Sequence, residues 1–494
     1  MLFRSLLIGL AVGVDYSLFY LRREREERAA GRSEHAALEA AAATSGRAVL
    51  VSGITVLVAM AGMFLSGDKT FMSFSIGTMM VVAVAMIGSL TVLPALLGRL
   101  GDKVEKGRVP FVHRLRSKNG ESRVWGAVLD RVLRRPVVSA VAAGAVLIAL
   151  TVPALSLNTT TTGLDDISIP EIEPMKRLDA AFPGGNDPAV VAIKADDVRA
   201  PEVQDAIVAL KNEALATGQL KGPIEVEASR DNTVATVDIT LAGSGTDAKS
   251  QAALATLRED VLPSTLGEVE GVEYAVTGTT AVDKDWEAKM KTSAPLVFGF
   301  VLLFAFLIML ASFRSIVVAI KAIVLNLLSV GAAYGILVAL FQWGWGESLL
   351  GFQSNGGITP WLPMFLFVIL FGLSMDYHVF ILSRIREAYD RGLSNEEAVA
   401  YGIKSTAGVV TSAAAVMVGT FLVFAVLPVI DMKEMGVGLA AAILIDATLI
   451  RAVLLPATMK LLGDRNWYLP KSLGWLPRLE HDEAPEAPPA PAAA

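Results

Sequence analysis

Residues 12–19, Val-Gly-Val-Asp-Tyr-Ser-Leu-Phe, are repeated with small changes as residues 373–380, Leu-Ser-Met-Asp-Tyr-His-Val-Phe. Further along, residues 93–95 and residues 455–457 both read Leu-Pro-Ala. The offset is 361 residues at the Asp-Tyr pairs and 362 at the Leu-Pro-Ala landmarks, so the order of features is kept in both copies. This internal repeat indicates that the chain contains two copies of one structural unit.

The sequence around both copies is strongly apolar. Of 494 residues, 53% are hydrophobic and 19% are charged, and the mean hydropathy is +0.53. A soluble protein carries about 25% charged residues, and a run of about 20 apolar residues spans a bilayer. Nine such runs predict nine membrane helices: residues 5–21, 48–66, 71–98, 136–155, 293–311, 316–341, 360–382, 407–427 and 434–462. The apolar stretch from Pro295 to Phe341 is longer than one span, and Ser312-Phe313-Arg314-Ser315 is predicted to break it into a hairpin of two helices. Duplicated membrane halves related by an axis along the membrane normal are a known transporter architecture.

Lys and Arg collect in alternate loops of this arrangement. They cluster after the first run, between the third and fourth runs, and near residues 314, 384–391 and 465–471. Alternation of nine helices places all these loops on one side, which the positive-inside rule identifies as cytoplasmic. We therefore expect a multi-pass cell-membrane protein with its C-terminus in the cytoplasm. The Pro/Ala/Glu-rich residues 480–494 are predicted to be disordered.

One long polar segment, residues 156–292, interrupts the membrane runs. It contains 24 acidic and 12 basic residues, and alternation places it on the outer side, away from the basic loops. Its apolar pattern mixes the periods of strands and helices. We predict strands at Ala189–Lys194, Thr233–Leu241 and Val272–Thr277, and helices at Pro201–Ala216 and Lys249–Leu262. Helices interleaved with strands in this way favour a split βαβ domain.

These observations divide the chain into six parts. They are a first membrane repeat of three helices (1–100), a cytoplasmic linker (101–135), the helix that opens the second repeat (136–155), the external domain (156–292), the remaining second-repeat helices (293–465) and a cytoplasmic tail (466–494). An intact duplication would need three further helices and a second external domain before Met1. We therefore expect a fragment or one piece of a split protein; a complete nine-helix protein is the alternative.

In both copies, a short Ala-rich stretch follows the basic loop. There the sequence predicts a short, Ala-rich amphipathic helix, separate from the membrane helix that follows it. In the second copy this helix opens at Ser394-Asn395-Glu396-Glu397, which has the form of a capping box.

Each copy places one carboxylate in the middle of an apolar run. Inserting the carboxylate of Asp15 or of Asp376 at the centre of the bilayer would cost about 2.5–3.5 kcal/mol each, so we expect both carboxylates to have a function. Burial raises a carboxyl pKa and a donating hydroxyl lowers it, and Tyr16 and Tyr377 supply hydroxyls. Adjacent residues lie about 100° apart on a helix, so facing helices would pair Asp15 with Tyr377 and Asp376 with Tyr16. We predict a proton relay formed by these four residues; a polar clamp between two helices is the alternative.

Five further residues are candidates to support the relay. His378 titrates near neutrality, although an ordinary packing or helix–helix hydrogen-bonding role is the simpler interpretation. Asp446 could join or brace the relay, and Arg451 could extend toward the cytoplasmic face. In an α-helix these two residues are about 140° out of phase, so a mutual salt bridge is not expected. Ser52 and Ser412 are polar positions on neighbouring spans, where such residues usually join helices.

Other classes of site receive no support. Cys is absent and four scattered His residues have no metal-ligand spacing, so neither a metal nor a cofactor is predicted. Residues 62–70 resemble a Walker A motif with one residue too many, but they follow no strand and close a membrane helix. The basic clusters flank the membrane and contain Glu, so nucleic-acid binding is not expected. The chain is not predicted to be an enzyme.

The paired Asp-Tyr helices, the external domain before the second set, and Ile445-Asp446-Ala447-Thr448-Leu449-Ile450-Arg451 resemble the MMPL family. This family belongs to the resistance–nodulation–division (RND) superfamily, and the resemblance covers residues 1–465. It implies about nine helices of a pseudo-repeated RND fold with one extracytoplasmic, ferredoxin-like porter domain. Complete members have twelve helices and two porter domains, so the first three helices and first porter domain are not represented here. The resemblance also implies the crossed Asp–Tyr arrangement.

The resemblance further implies proton-driven export of lipids or other hydrophobic molecules. The implied partners are the lipid bilayer, a lipidic substrate, protons and a separate N-terminal fragment. Two alternatives remain open: a multidrug efflux pump of the same family, and a SecDF-like accessory that couples proton flow to polypeptide translocation. The paired carboxylates argue against a third, a sterol-sensing-like receptor.

Overall fold

The computed structural model describes residues 2–101, 123–161, 163, 170–181, 188–243, 245 and 247–476. Helices dominate both repeats. The first membrane part contains α1 (Leu2–Ala29), α2 (Glu34–Ala61), α3 (Lys69–Ile87), α4 (Leu93–Leu100), α5 (Arg123–Arg134) and α6 (Pro136–Thr151). The external domain contains α7 (Glu173–Ala181), α8 (Pro201–Ala216), α9 (Ala248–Thr256) and α10 (Leu262–Thr265), together with strands β1 (Ala189–Lys194), β2 (Leu220–Ala228), β3 (Val234–Leu241) and β4 (Glu273–Thr277). The second membrane part contains α11 (Thr279–Phe313), α12 (Ile316–Leu337), α13 (Glu347–Leu350), α14 (Leu362–Asp390), α15 (Asn395–Ala425), α16 (Ile430–Ile445) and α17 (Leu455–Leu462).

The predicted membrane runs correspond to long helices. Among the described residues, eight helical segments are long and apolar enough to cross a membrane, and they match eight of the nine predicted runs, with at most two residues of a run lying outside its segment. The first run, residues 5–21, lies in α1, where most of the side chains fall outside the described set. The predicted break between α11 and α12 is confirmed: α11 ends at Arg314 in the left-handed conformation, and Ser315 caps α12. The linker residues 102–122 and the tail 477–494 lie outside the described residues.

Helix α14 lies at the centre of the membrane bundle. In its most apolar window 94% of the residues are buried inside the protein, whereas the corresponding share for the helix that begins at Pro136 is 11%. It packs against α2, α11, α12, α15 and α16. The second Asp-Tyr pair is carried by this helix, so its polar groups are removed from lipid as well as from water.

The amphipathic stretches do not form separate helices. Residues 34–61 and 395–425 each run as one uninterrupted helix from the basic loop into the membrane span, which corrects the prediction of a short separate helix in each copy. Ala, Glu and Leu are strong helix formers, and neither stretch contains a Pro or Gly pair that would end the helix before the span begins. The predicted capping box at Ser394 and Glu397 is confirmed.

A close contact between α6 and α12 depends on Gly335. A Cβ atom at this position would overlap the carbonyl oxygen of Leu150 on α6. We expect Gly335→Ala to destabilise the protein by about 2–3 kcal/mol, because backbone atoms cannot move aside as a flexible side chain can. Gly144→Ala on α6 is the matched control, since nothing lies within 4 Å of its Cβ position. Thermal unfolding in detergent would measure both, and equal transitions would contradict this packing account.

The external domain is built on a four-stranded antiparallel sheet with the order β2-β3-β1-β4. With α8 after β1 and α9 after β3, the chain runs β-α-β-β-α-β, which is the predicted split βαβ, or ferredoxin-like, topology. One face of the sheet supplies the apolar core, with Val191, Ile193, Val237 and Ile239 fully buried against the helices. Strand β1 and helix α8 have the predicted bounds.

Strand β2 was not predicted. It is an edge strand whose residues are mostly exposed, and it contains Gly222-Pro223 and two glutamates in place of an alternating apolar pattern. Its strand conformation comes from pairing with β3, with a register shift between Lys221 and Glu225. Sequence patterns report burial and cannot report this pairing.

The external domain is joined to the membrane part by a continuous helix. Helix α11 begins directly after Gly278 at the end of β4 and runs for 35 residues, about 52 Å, into the bundle. Its outer part contacts the first repeat, because Trp286 Nε1 donates to Asp68 Oδ2 at 3.2 Å and Lys289 donates to the Gly67 carbonyl at 2.7 Å. Thr159 also donates to Glu287 at 3.0 Å. Movement of the domain would therefore be transmitted directly to the membrane helices.

Candidate functional site: a buried polar cluster in the membrane bundle

Asp376 and Tyr377 occupy the middle of α14, and the burial of this helix explains their surroundings. Asp376 is 6% exposed and Tyr377 is 3% exposed. The Tyr377 hydroxyl lies 3.1 Å from the sulfur of Met417 on α15. The structure thus places a carboxylate and a phenol inside the protein at the level of the membrane spans, where a charged group requires a specific role.

Ser374, one turn before His378, is the centre of a second set of contacts. Its hydroxyl lies 2.6 Å from Asn326 Oδ1 on α12 and 2.7 Å from Asp446 Oδ2, so it donates to one of these acceptors at a time. Asn326 is 1% exposed and Asp446 is 5% exposed. Three segments of the second repeat therefore meet through buried polar side chains.

Asp446 forms an ion pair with Arg451, which the sequence analysis did not expect. The reason is that residues 446–454 form a π-helix, whose i→i+5 hydrogen bonds place residues five apart above one another. The α-helical geometry that separates them by about 140° does not apply. The prediction that Arg451 extends toward the cytoplasmic face is also wrong, because its side chain is 2% exposed and is held inside the bundle.

Arg451 connects this ion pair to the Asp-Tyr motif. Its guanidinium carbon lies 4.2 Å from the centre of the Tyr377 ring, and its Nη2 donates to the Ser374 carbonyl at 3.2 Å. A cation over an aromatic ring is attracted to the ring face, and the attraction is strongest where water is excluded. Ser374, Tyr377, Asp446 and Arg451 also line a small cavity with room for about one water molecule. The ion pair thereby holds the tyrosine that follows Asp376.

Asp376 itself lies on a different side of α14. Residues two apart in an α-helix differ by about 200° around the axis, so Ser374 and Asp376 face nearly opposite directions. Asp376 is accordingly absent from the residues that line the cavity. The helix thus carries two polar sites, and Tyr377 lies between them around the helix axis, about 60° from Ser374 and about 100° from Asp376.

The first repeat contributes Tyr16, whose side chain is 1% exposed. Its hydroxyl accepts a hydrogen bond from Ser52 on α2 at 3.4 Å, so the predicted supporting residue Ser52 does reach the Asp-Tyr motif of its own copy. Asp15 lies in α1, but its side chain is outside the described residues. The crossed pairing of Asp15 with Tyr377 and of Asp376 with Tyr16 therefore stays a prediction.

The structure places the two other supporting candidates differently, with Ser412 away from the cluster and His378 beside Ser374. Ser412 is exposed on α15 and donates to the Gly408 carbonyl of its own helix at 2.8 Å, so the structure does not bring it to the cluster. His378 is fully buried, and its Nδ1 lies 3.2 Å from the Ser374 carbonyl. Its contact is within α14, which agrees with a packing role and not with a hydrogen bond between helices. In the described part of the chain, no group of three His, Asp or Glu residues has the arrangement of a metal site.

Ser374 is the functional candidate that sequence reasoning missed. Ser374 corresponds to Gly13 in the first copy, so the repeat gave no reason to select it. The signal that was available is the pair Asp446 and Arg451, since two opposite charges in one apolar run need partners. Locating those partners required the packing of α12 and α14 against the π-helix.

The architecture defines a class: a polytopic α-helical membrane protein with a ferredoxin-like domain inserted before its second set of helices. SecDF, a translocon-associated membrane protein from Thermus thermophilus, has a similar fold. It superposes with a TM-score of 0.53 at 14% identity, covering 92% of this chain and 54% of that one. This similarity concerns the fold alone.

The sequence comparison identifies the family. The profile of the MMPL family matches residues 2–139 and 164–484, so the chain belongs to the MMPL family. It is 37% identical to the mycolic acid-containing lipids exporter MmpL11 of Mycolicibacterium smegmatis, over 96% of this chain and 50% of that protein. In Mycobacterium tuberculosis it is 36% identical to the heme uptake protein MmpL11 and 30% identical to the trehalose monomycolate exporter MmpL3, over 96% of this chain and 49% and 53% of those proteins. The chain spans about half the length of the curated relatives it matches.

Proposed function

We propose that this chain carries the proton relay and one porter domain of a proton-driven exporter of lipidic molecules. The observation that carries the proposal is the buried arrangement of Asp376, Tyr377 and the Asp446–Arg451 pair on and beside the central helix α14. Three charged side chains within a membrane bundle are costly unless they act in transport or stabilise the structure. We assign Asp15 and Asp376 to proton binding and the Asp446–Arg451 pair to bracing.

The bracing role follows from charge. Asp446 and Arg451 together are neutral, and Arg451 lies over Tyr377 without contributing an unbalanced charge to the site. Asp376 is then the group whose protonation changes the charge of the central helix. A proton crossing the membrane at ordinary potentials supplies roughly 3–4 kcal/mol, enough to shift a two-state equilibrium a few hundredfold.

The external domain supplies a route from protonation to substrate movement. Helix α11 begins at the edge of the domain sheet and packs against α14, which carries Asp376. A change in the packing of α14 would therefore tilt or shift α11 and the domain as a unit. Such rigid-body motion of one bundle against another is how repeat-based transporters alternate access.

The substrate class is inferred from the relatives. The exporters among them are named for mycolic acid-containing lipids and for trehalose monomycolate, which are large amphipathic lipids. We place the external domain outside and the C-terminus in the cytoplasm, as the basic loops predict. A complementary first half, with three helices and the first porter domain, would complete the transporter.

Transport in proteoliposomes tests this function. We expect an imposed proton gradient to drive a fluorescent mycolate-type glycolipid across the bilayer when this chain is reconstituted together with the first three helices and first porter domain of a full-length relative. A protonophore should stop the movement, because the gradient is the energy source. Lipid movement that persists without a gradient would contradict proton coupling.

Two alternatives predict different outcomes in the same system. A multidrug pump of this family would move a lipophilic dye or drug and leave the glycolipid in place. The likeness in fold to SecDF makes a translocation accessory the second alternative, and proton flow would then depend on a translocating polypeptide. The named heme uptake activity of one relative adds heme as a substrate to include in the assay.

A further inference from the structure

The two Asp-Tyr helices share a second motif, eight residues beyond each aspartate. Residues 23–26 read Arg-Glu-Arg-Glu and residues 384–387 read Arg-Ile-Arg-Glu, at the same offset of 361 residues as the Asp-Tyr pairs. Arg23 therefore corresponds to Arg384, and Glu26 corresponds to Glu387. The first pair lies near the end of α1 and the second near the end of α14.

These four residues form a charged ring in which the two copies meet. Arg384 lies 3.1 Å from Glu26 of the other copy and 3.1 Å from Glu387 of its own. Arg23 lies 3.7 Å from Glu387 and 3.8 Å from Glu26. Each arginine thus contacts both glutamates, and exchanging the two copies exchanges the contacts. A contact repeated in this reciprocal way is what a two-fold relationship between the copies requires.

The ring is largely closed to solvent. The side chains of Arg23, Arg384 and Glu387 are 8%, 9% and 15% exposed, and only Glu26 is open, at 36%. Ion pairs at an open surface contribute little, but removal of one partner from a buried pair leaves an uncompensated charge. Each helix contributes one arginine and one glutamate, and neighbouring charges also pair with them: Arg22 with Glu26, Glu27 with Arg23, and Arg391 with Glu387. Separating α1 from α14 would therefore leave each helix neutral here and would remove only the two contacts between the copies, Arg384 with Glu26 and Arg23 with Glu387.

The ring lies between Asp376 and the basic loops. Eight residues of helix separate Asp376 from Arg384, a distance of about 12 Å. The intervening side chains Val379–Leu382 are apolar and buried. Water that approached Asp376 along α14 from this end would first have to pass the ring and then the apolar layer.

We propose that the charged ring of Arg23, Glu26, Arg384 and Glu387 is the gate of the relay on its basic-loop side. This proposal rests on the proposed function. The ring holds the ends of α1 and α14 together and keeps water from Asp376 in the state described. It opens when the two copies separate, and it recloses through the same reciprocal contacts. The four residues are positioning residues, since they act on the relay through the helices that carry it.

The absence of cysteine from the chain allows a direct test of access. Ser17, two residues after Asp15, donates to the Gly13 carbonyl at 2.8 Å, and Ser17→Cys would place a single thiol beyond the ring. The full chain in membrane vesicles is exposed to a membrane-impermeant maleimide from each side in turn. We expect slow labelling from the basic-loop side with the ring intact, and labelling about tenfold faster or more in Glu26→Gln with Glu387→Gln. Equal labelling rates would overturn the gate.

Two further variants make the test specific. Asp390→Asn breaks the exposed Arg386–Asp390 pair on the same helix and should leave the labelling rate unchanged. Arg23→Lys combined with Arg384→Lys keeps the charge at every position of the ring and beside Glu27, and should retain slow labelling. Fast labelling of this charge-conserving variant would also overturn the proposal, even if the neutralised variant failed to fold. Labelling does not depend on transport, so failure of the gate and failure of the relay give separate results.

Discussion

We expect Asp376→Asn to insert normally and to lose proton-driven transport by at least about a hundredfold, because removing the titrating group removes the roughly 3–4 kcal/mol that each proton supplies. Asn has nearly the same shape as Asp, so the packing of α14 around this position is kept. Proton uptake and lipid movement in proteoliposomes are the measurements, and chain abundance in the membrane reports insertion. The same change at Asp15 should have the same effect if both copies carry protons.

Ser412→Ala is the matched control for this prediction. Its hydroxyl is exposed and bonded only within α15, so transport should stay near that of the unmodified chain. Transport that survives in Asp376→Asn would show that the carboxylate is part of a structural clamp. Loss of the folded chain in Asp376→Asn would point the same way.

The second large effect is expected at Asp446. Asp446→Asn leaves the buried Arg451 without its counter-charge, and we expect the free energy of unfolding to fall by about 3–5 kcal/mol. Arg451→Met should be similarly destabilising, because Asp446 then becomes the unpaired charge. Thermal or denaturant unfolding in detergent measures both.

A double variant separates bracing from proton binding. Asp446→Leu combined with Arg451→Met removes both charges, so stability should recover most of the loss seen in either single variant. Transport should stay low, because Tyr377 loses the guanidinium that holds its ring. Full recovery of transport would show that the pair serves stability alone. Additive losses of stability would contradict the ion pair.

Much of the fold could be predicted because it depends on local patterns. Apolar length located the membrane helices, and alternating residues located β3 to within one residue of its observed start. The short linker Ser312–Ser315 was recognised as a break, and the capping box at Ser394 formed as expected. Strand β2 was not predicted, because its side chains are exposed on both faces and its conformation comes from hydrogen bonds to β3.

The residues of the candidate site also fall into those that the sequence predicted and those that it did not. The repeat selected Asp376 and Tyr377, and the structure places both inside the bundle as expected. A salt bridge between Asp446 and Arg451 was not expected, because α-helical geometry would hold the two residues apart. The pair forms because residues 446–454 are a π-helix. Ser374 had no counterpart in the first copy, so it became a candidate only when its contacts with Asn326 and Asp446 were known.

The sequence alone determined that this is a duplicated membrane protein with a carboxylate in each copy, since hydropathy and internal similarity are properties of the chain itself. Only the tertiary structure decided which charges neutralise one another. Asp446 meets Arg451 through the local winding of one helix, and Arg384 meets Glu26 across 358 residues of sequence. Electrostatic partners are selected by distance in space, and that distance exists only after the helices have packed.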